Sequence, residues 1–318
     1  MGRTRRRHYD VTNTVNISQP REVSTAITAL LHARYPDHDF GIVARAIRLF
    51  ERLYAGTLPG YLGCDTWYHD AQHSLDCALA MARLLDGHDH SVIAAERLGP
   101  RRALLGIVIA LFHDAGYIRR RGEPAHNGAE YTLTHVRRSS AFLREFLPQL
   151  GLGSDVVRAT QLVHFTGYEI ALDAIRVRDR RDRRLGALLG TADILAQSAD
   201  CCYLEKCRDF LFREFAICGL AGTRQAGGPA PLYRSPDELL EKTVAYHRQL
   251  RRERLDGYFQ GAYRYMDAHF GGHNPYLTVI AAHLQRVATL SRSHRLAELR
   301  QRPIAINRTR LRAARRAA

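Results

Sequence analysis

The stretch "WYHDAQHSLD", Trp67 to Asp76, holds His69 and His73 four residues apart beside two aspartates. On a helix, positions i and i+4 share a face, so the two imidazoles could serve as metal ligand and acid–base group, or simply line a wet helix face. Sixteen histidines in 318 residues give about 0.8 such pairs by chance, and His269 and His273 form a second pair. The rest of the chain has to decide what the first pair means.

Two other stretches carry chemistry. In "IALFHDAG" an apolar run from Ala103 to Phe112 leads straight into His113 and Asp114. An ionised carboxylate at the edge of a core is costly unless it is paired or metal-bound. In "LGALLGTADILAQ" a second apolar helix is interrupted by Asp193, which needs a cation nearby, either a metal or an arginine. Each stretch therefore places chemistry-bearing side chains on its own helix, and two imidazoles and two carboxylates from three helices can converge inside a bundle. A mixed nitrogen and oxygen donor set suits Mg²⁺, Mn²⁺, Fe or Zn²⁺ rather than a thiolate-bound ion.

The ordered motifs Tyr68-His69-x-x-x-His73, His113-Asp114 and Thr191-Ala192-Asp193 resemble the HD superfamily of metal-dependent phosphohydrolases. At these motifs the chain is most similar to the class I cyclic nucleotide phosphodiesterases. Asp70 stands where those enzymes carry Asn, and the run after Asp114 lacks their further Asp-His pair. The resemblance implies an HD-type helical bundle hydrolysing a phosphate ester of a nucleotide or related small molecule. It makes His73, His113, Asp114 and Asp193 metal ligands, with Asp114 also catalytic through bridging two ions. His69, one turn before His73, becomes the general acid, oriented by Asp70 or another carboxylate. His135 and His164 resemble the extra histidines of binuclear members and would complete a second divalent site. His126 and Glu130 compete for that role. Tyr68, Asp70 and Gln260 fall on the substrate side, the last by likeness to a late purine-reading glutamine. Arg119, Arg120 and Arg121 after the HD turn could meet a phosphate or be ordinary surface charges, and Lys206 and Arg208 further on could line the pocket entrance.

Helical periodicity dominates and strand alternation is scarce, which predicts an all-α fold. Helices are expected near 21–34, 40–55, 67–86, 101–112, 128–147, 154–165, 183–200, 202–215, 236–269 and 275–299. The segment 221–238 reads as a long loop, a connector or a lid. One domain over 21–300, with additional C-terminal helices, is expected between loose basic ends at 1–20 and 301–318. A net charge of +15 and the arginines of both ends leave nucleic acid as a partner, but no nucleic-acid motif accompanies them. No apolar run is long enough to cross a bilayer, no secretory signal is recognisable, and six cysteines do not form a zinc or disulfide pattern. A cytoplasmic enzyme, as a monomer or a homo-oligomer, is the expectation. The rival functions are a catalytically silent HD module that binds a nucleotide, and a basic helical nucleic-acid-binding protein.

Overall fold

The computed structural model describes residues 5–223 and 230–307. Among them there is no strand or sheet, only three isolated bridge pairs, and the protein is all-α. Helices α1 (Pro20–Arg34) and α2 (Gly41–Tyr54) precede α3 (Ala71–Ser91), α4 (Gly99–Phe112), α5 (His135–Phe146), α6 (Val156–Leu162) and α7 (Arg180–Ser198). A bent helical stretch follows, made of α8 (Tyr203–Lys206), a π-helical turn (Cys207–Leu211) and α9 (Phe212–Ile217). The chain closes with α10 (Pro236–Leu250), α11 (Tyr265–His269) and α12 (Pro275–Arg292). No helix among the described residues is long and apolar enough to cross a membrane.

Helix α3 is the axis of the bundle. Its 21 residues include 18 that are buried, so it has no solvent face of its own. It packs against α1, α4, α7 and α11. The small residues of "CALAMA" let these neighbours come close on every side. The closest approach is at Gly87, where an added Cβ would lie 1.8 Å from the carbonyl oxygen of Tyr265. Helices α4 and α7 are buried along almost their whole apolar lengths, from Ala103 to Phe112 and from Leu185 to Ala196. These three helices carry the three sequence motifs, so burial of their apolar surface is what draws the motifs together.

The helix expected over 67–86 starts only at Ala71, because Asp70 caps it. Asp70 Oδ1 accepts the His73 N–H at 3.0 Å, and Oδ2 accepts the Ile306 N–H at 2.6 Å. Both oxygens of this fully buried carboxylate are thereby taken up, and burial keeps its pKa above the ordinary value despite Lys206 nearby. The expected helix over 128–147 splits into a short 3₁₀ turn, Gly128–Tyr131, and α5. That over 236–269 breaks at Gln260 and Gly261, both left-handed with φ of 53° and 68°. Between α10 and the break the chain runs as a π-helix, Arg251–Tyr258.

The ends of the described chain are packed rather than loose. Asp10 and Ile17 are buried, as are Ala305 and Ile306. The arginines beyond residue 307 lie outside the described residues. Arg83, buried on α3, donates to Asp10 Oδ2 at 2.5 Å and to the Tyr276 hydroxyl at 2.7 Å, tying the N-terminal segment and α12 to the central helix. Burial opposes the charge of Asp10, but the Arg83 guanidinium, the Thr12 hydroxyl and the Val15 N–H prevail and lower its pKa to about 2.

A folded pKa below the unfolded one contributes stability that is present above about pH 4 and lost as pH falls toward 2. Asp10→Asn is expected to lower stability at pH 7 by about 3 kcal/mol, the cost of leaving a buried arginine without its carboxylate. Urea unfolding of both proteins from pH 7 downward should show that difference narrowing as pH falls below about 4.

Candidate metal and active site

The motif residues meet where the N-terminal end of α3 faces the C-terminal end of α4 and the middle of α7. His73, three residues into α3, is buried, as are His113 at the end of α4, Asp114 after it, and Asp193 on α7. His73 Nε2 lies 3.2 Å from His113 Nε2, 3.5 Å from Asp114 Oδ2 and 3.2 Å from Asp193 Oδ1. His113 Nε2 lies 3.3 Å from Asp114 Oδ2 and 3.6 Å from Asp193 Oδ1. The two nitrogens and two carboxylate oxygens thus point toward one place. The group His73, His113 and Asp114 has its ligand atoms all within 4.8 Å of one another.

The donor set fits a divalent cation. His113 Nδ1 lies 2.7 Å from the Ala110 carbonyl oxygen, which can only accept. That nitrogen therefore carries the proton in the neutral ring, leaving the Nε2 lone pair for the cluster. Asp114 Oδ2 is buried and has no hydrogen-bond partner, and such an orphan charge calls for a cation. Burial disfavours charge on His113, yet the Asp114 and Asp193 carboxylates more than offset it and raise its pKa well above the ordinary range. Burial likewise opposes ionisation of Asp114 and Asp193, and the facing imidazoles hold both well below the usual carboxylate range. A field that favours a proton between these groups also favours a metal ion, in competition with that proton.

A second layer holds the first in place. Gln197, one turn after Asp193, donates from Nε2 to Asp193 Oδ1 at 3.0 Å and accepts the Tyr68 hydroxyl at 3.3 Å. Behind Asp114, Gly116 is pressed so close to α5 that an added Cβ would lie 1.8 Å from the His135 carbonyl oxygen. This contact brings His135 Nε2 to 3.8 Å from Asp114 Oδ1, and the ring's Nδ1 is 2.7 Å from the Thr132 carbonyl.

His69 stands ahead of the α3 cap, not one helical turn along a shared face. Its ring centroid is still 6.3 Å from that of His73. Nδ1 lies 2.6 Å from Glu214 Oε2 on α9, and the other Glu214 oxygen accepts the N–H groups of Trp67 and Tyr68, both at 2.7 Å. Glu214 is fully buried, so its charge is held entirely by these donors. Burial acts against protonation of His69, but Glu214 outweighs it and raises the pKa. Tyr117 stacks between His69 and His135, with centroids 4.3 and 4.5 Å away.

Other expected residues lie elsewhere. His164 is half-buried on the 3₁₀ turn Val163–Phe165, whose two flanking side chains take the core-facing directions, and it does not line the cavity above the cluster. Of the residues expected to hold a second ion, Asp114 and His135 come near each other, whereas His164 is not among the side chains lining this cavity. Gln260 is exposed at the helix break and accepts from Arg184. Asp70 is a helix cap, with both oxygens engaged by backbone rather than by His69 or a substrate. His126 and Glu130 are exposed and form a local cap. Arg119 and Arg120 pair with Asp65 and Glu145, Lys206 with Asp200, and Arg208 with Asp209. His269 pairs with Asp86 near the far end of α3. Tyr68 does line the cavity.

Glu214, Gln197 and Tyr117 escaped the sequence reading. Glu214 sits in "LFREFAI", an acidic residue within an apolar helix, which is the same signal that marked Asp193. Gln197 follows Asp193 by four residues, one helical turn. Nothing in "HDAGY" announces that Tyr117 will stack. No family model, curated protein or solved structure matches the chain.

Asp114→Ala removes the orphan carboxylate and is expected to abolish divalent-metal binding, whereas His164→Ala and Gln260→Ala should leave it unchanged. Elemental analysis of the three purified proteins after metal loading, with circular dichroism to verify folding, checks this.

Proposed function

We propose that this protein is a metal-dependent hydrolase of small phosphate esters. The observation that carries the reading is the juxtaposition of the buried His73, His113, Asp114 and Asp193 cluster with a histidine whose far nitrogen is anchored by a buried glutamate. Both open onto one cavity of about 420 Å³. The order and residue types of the motifs, which resemble the HD phosphohydrolases, support the same reading.

His73, His113, Asp114 and Asp193 would hold the ion. When bound, a divalent cation supplies positive charge for the phosphoryl oxygens and makes an attacking water more acidic. The protein's own groups account for the proton on the other side of phosphorus. Protonated His69 keeps its Nδ1 proton on Glu214 and presents the Nε2 proton to the cavity. Donating that proton to the leaving oxygen yields an alcohol rather than an alkoxide, and the ring returns to its neutral tautomer with Nδ1–H still bonded to Glu214. Glu214 is thus a positioning residue: it fixes the ring and keeps it protonated at higher pH. The face of Tyr117 restricts ring rotation. Gln197 holds Asp193 toward the cluster, so the oxygen it presents does not wander with solvent.

Phosphate release from small phosphate esters, before and after removal of divalent ions with a chelator, tests the proposal directly; no release from any ester by the metal-loaded protein overturns it. His69→Ala is expected to retain metal yet slow hydrolysis of an alkyl ester by roughly 10²–10⁴-fold, with a much smaller loss for p-nitrophenyl phosphate, whose leaving group needs little protonation. Because the acid must be protonated, kcat falls as pH rises through the His69 pKa. Glu214→Gln removes the charge that raises that pKa, so the decline in the kcat–pH profile should move to lower pH.

A further inference from the structure

We infer that the ester taken by this site carries a bulky apolar alcohol, an alkyl or aryl group, rather than a nucleoside. The inference rests on the phosphoester reading and concerns the part of the cavity beyond the metal cluster. There the wall is built from Leu211, Phe215, Leu220, Leu239 and Leu250, with Leu232 at the rim. Burying an alkyl group against such a wall is favourable in proportion to its area, whereas burying the amide and amino edges of a base is costly without partners.

Most polar side chains of this wall are already committed to the protein. The Thr243 hydroxyl donates to the Leu239 carbonyl, and Tyr203 hydrogen-bonds His247 at 2.8 Å. The Tyr168 and Tyr246 hydroxyls bond each other at 3.0 Å. Arg254 donates to the Gly167 carbonyl and lies over the Tyr168 ring, 3.7 Å from its centroid. Lys242 pairs with Glu238 and the Leu232 carbonyl. Near the cluster, Gln197 is spent on Asp193 and Tyr68, and Gln260, the expected base reader, is at the surface. No amide side chain in the lining is left to pair with a base edge.

The rim supplies an independent observation. Among the described residues the large hydrophobic side chains that remain exposed number eight, and four of them, Leu133, Tyr168, Leu232 and Tyr246, line this one cavity. Exposed apolar groups gathered at a cavity mouth mark a ligand surface. The apolar path therefore continues from the cluster to the outside, and a chain attached to the phosphate could follow it.

The test uses ethyl, butyl and hexyl phosphate, which share leaving-group chemistry and differ only in apolar length, with adenosine 5′-monophosphate as the polar competitor. On the metal-loaded protein kcat/KM should rise about three- to four-fold for each added methylene until the cavity is filled, through KM more than kcat, and hexyl phosphate should exceed the nucleotide. Leu232→Asn, at an exposed position, should flatten this dependence. The matching alkylphosphonates, which cannot be hydrolysed, give the same comparison by calorimetric binding. Turnover or phosphonate binding independent of chain length, or preference for the nucleotide, overturns the inference while leaving the hydrolase reading intact. If no ester is hydrolysed but phosphonate affinity climbs with chain length, the hydrolase reading falls and the apolar site stands.

Discussion

Two carboxylates buried in the middle of a helical bundle set the terms for everything around them. Asp114 and Asp193 lie in segments that would otherwise be pure core, and leaving an ion uncompensated there costs several kcal/mol. His73 and His113 face both of them from two further attachment points. A bundle with a central helix buried on every side can bring three helices to one locus, and α3, α4 and α7 do so. Moving any of the three would expose apolar surface and separate the charges from their partners, so core packing and site electrostatics constrain the same backbone.

Outside the cluster, the buried polar groups mostly act as ties between elements distant in sequence. Asp70 joins the start of α3 to residue 306. Arg83 joins α3 to Asp10 and Tyr276. Glu214 joins α9 to the backbone of Trp67 and Tyr68 while holding His69. The last of these holds the His69 ring beside the cluster from a helix about 145 residues away in sequence. The π-helical turn at Cys207–Leu211 adds residues to that helix just before Glu214, as such turns often do near functional sites.

The apolar reach of the cavity balances these ties. It is walled mainly by residues from the second half of the chain, from α7, the π-helical turn, α9 and α10 and the loops between them, with Leu133 at the mouth. The polar cluster comes from α3, α4 and α7. The two ends of the cavity thus draw largely on different elements, with α7 shared between them.

The all-α architecture was legible in the periodicity, because a 3.6-residue apolar repeat is a property of each segment alone. So was the expectation that His73, His113, Asp114 and Asp193 lie together, which the resemblance of the three motifs implied. Element ends were less legible: Asp70 stops the helix short of His69 through a cap that also needs Ile306, and no local pattern announces that pairing. The same limit hid Glu214 behind His69, and it separated His135, drawn toward Asp114 by the close contact at Gly116, from His164, whose neighbours Val163 and Phe165 claim the core. Sequence by itself determined which residues could do chemistry and which segments are helical, because residue type and periodicity are local. Only the tertiary structure decided which of those residues meet, because proximity across the fold is set by how buried surfaces pack.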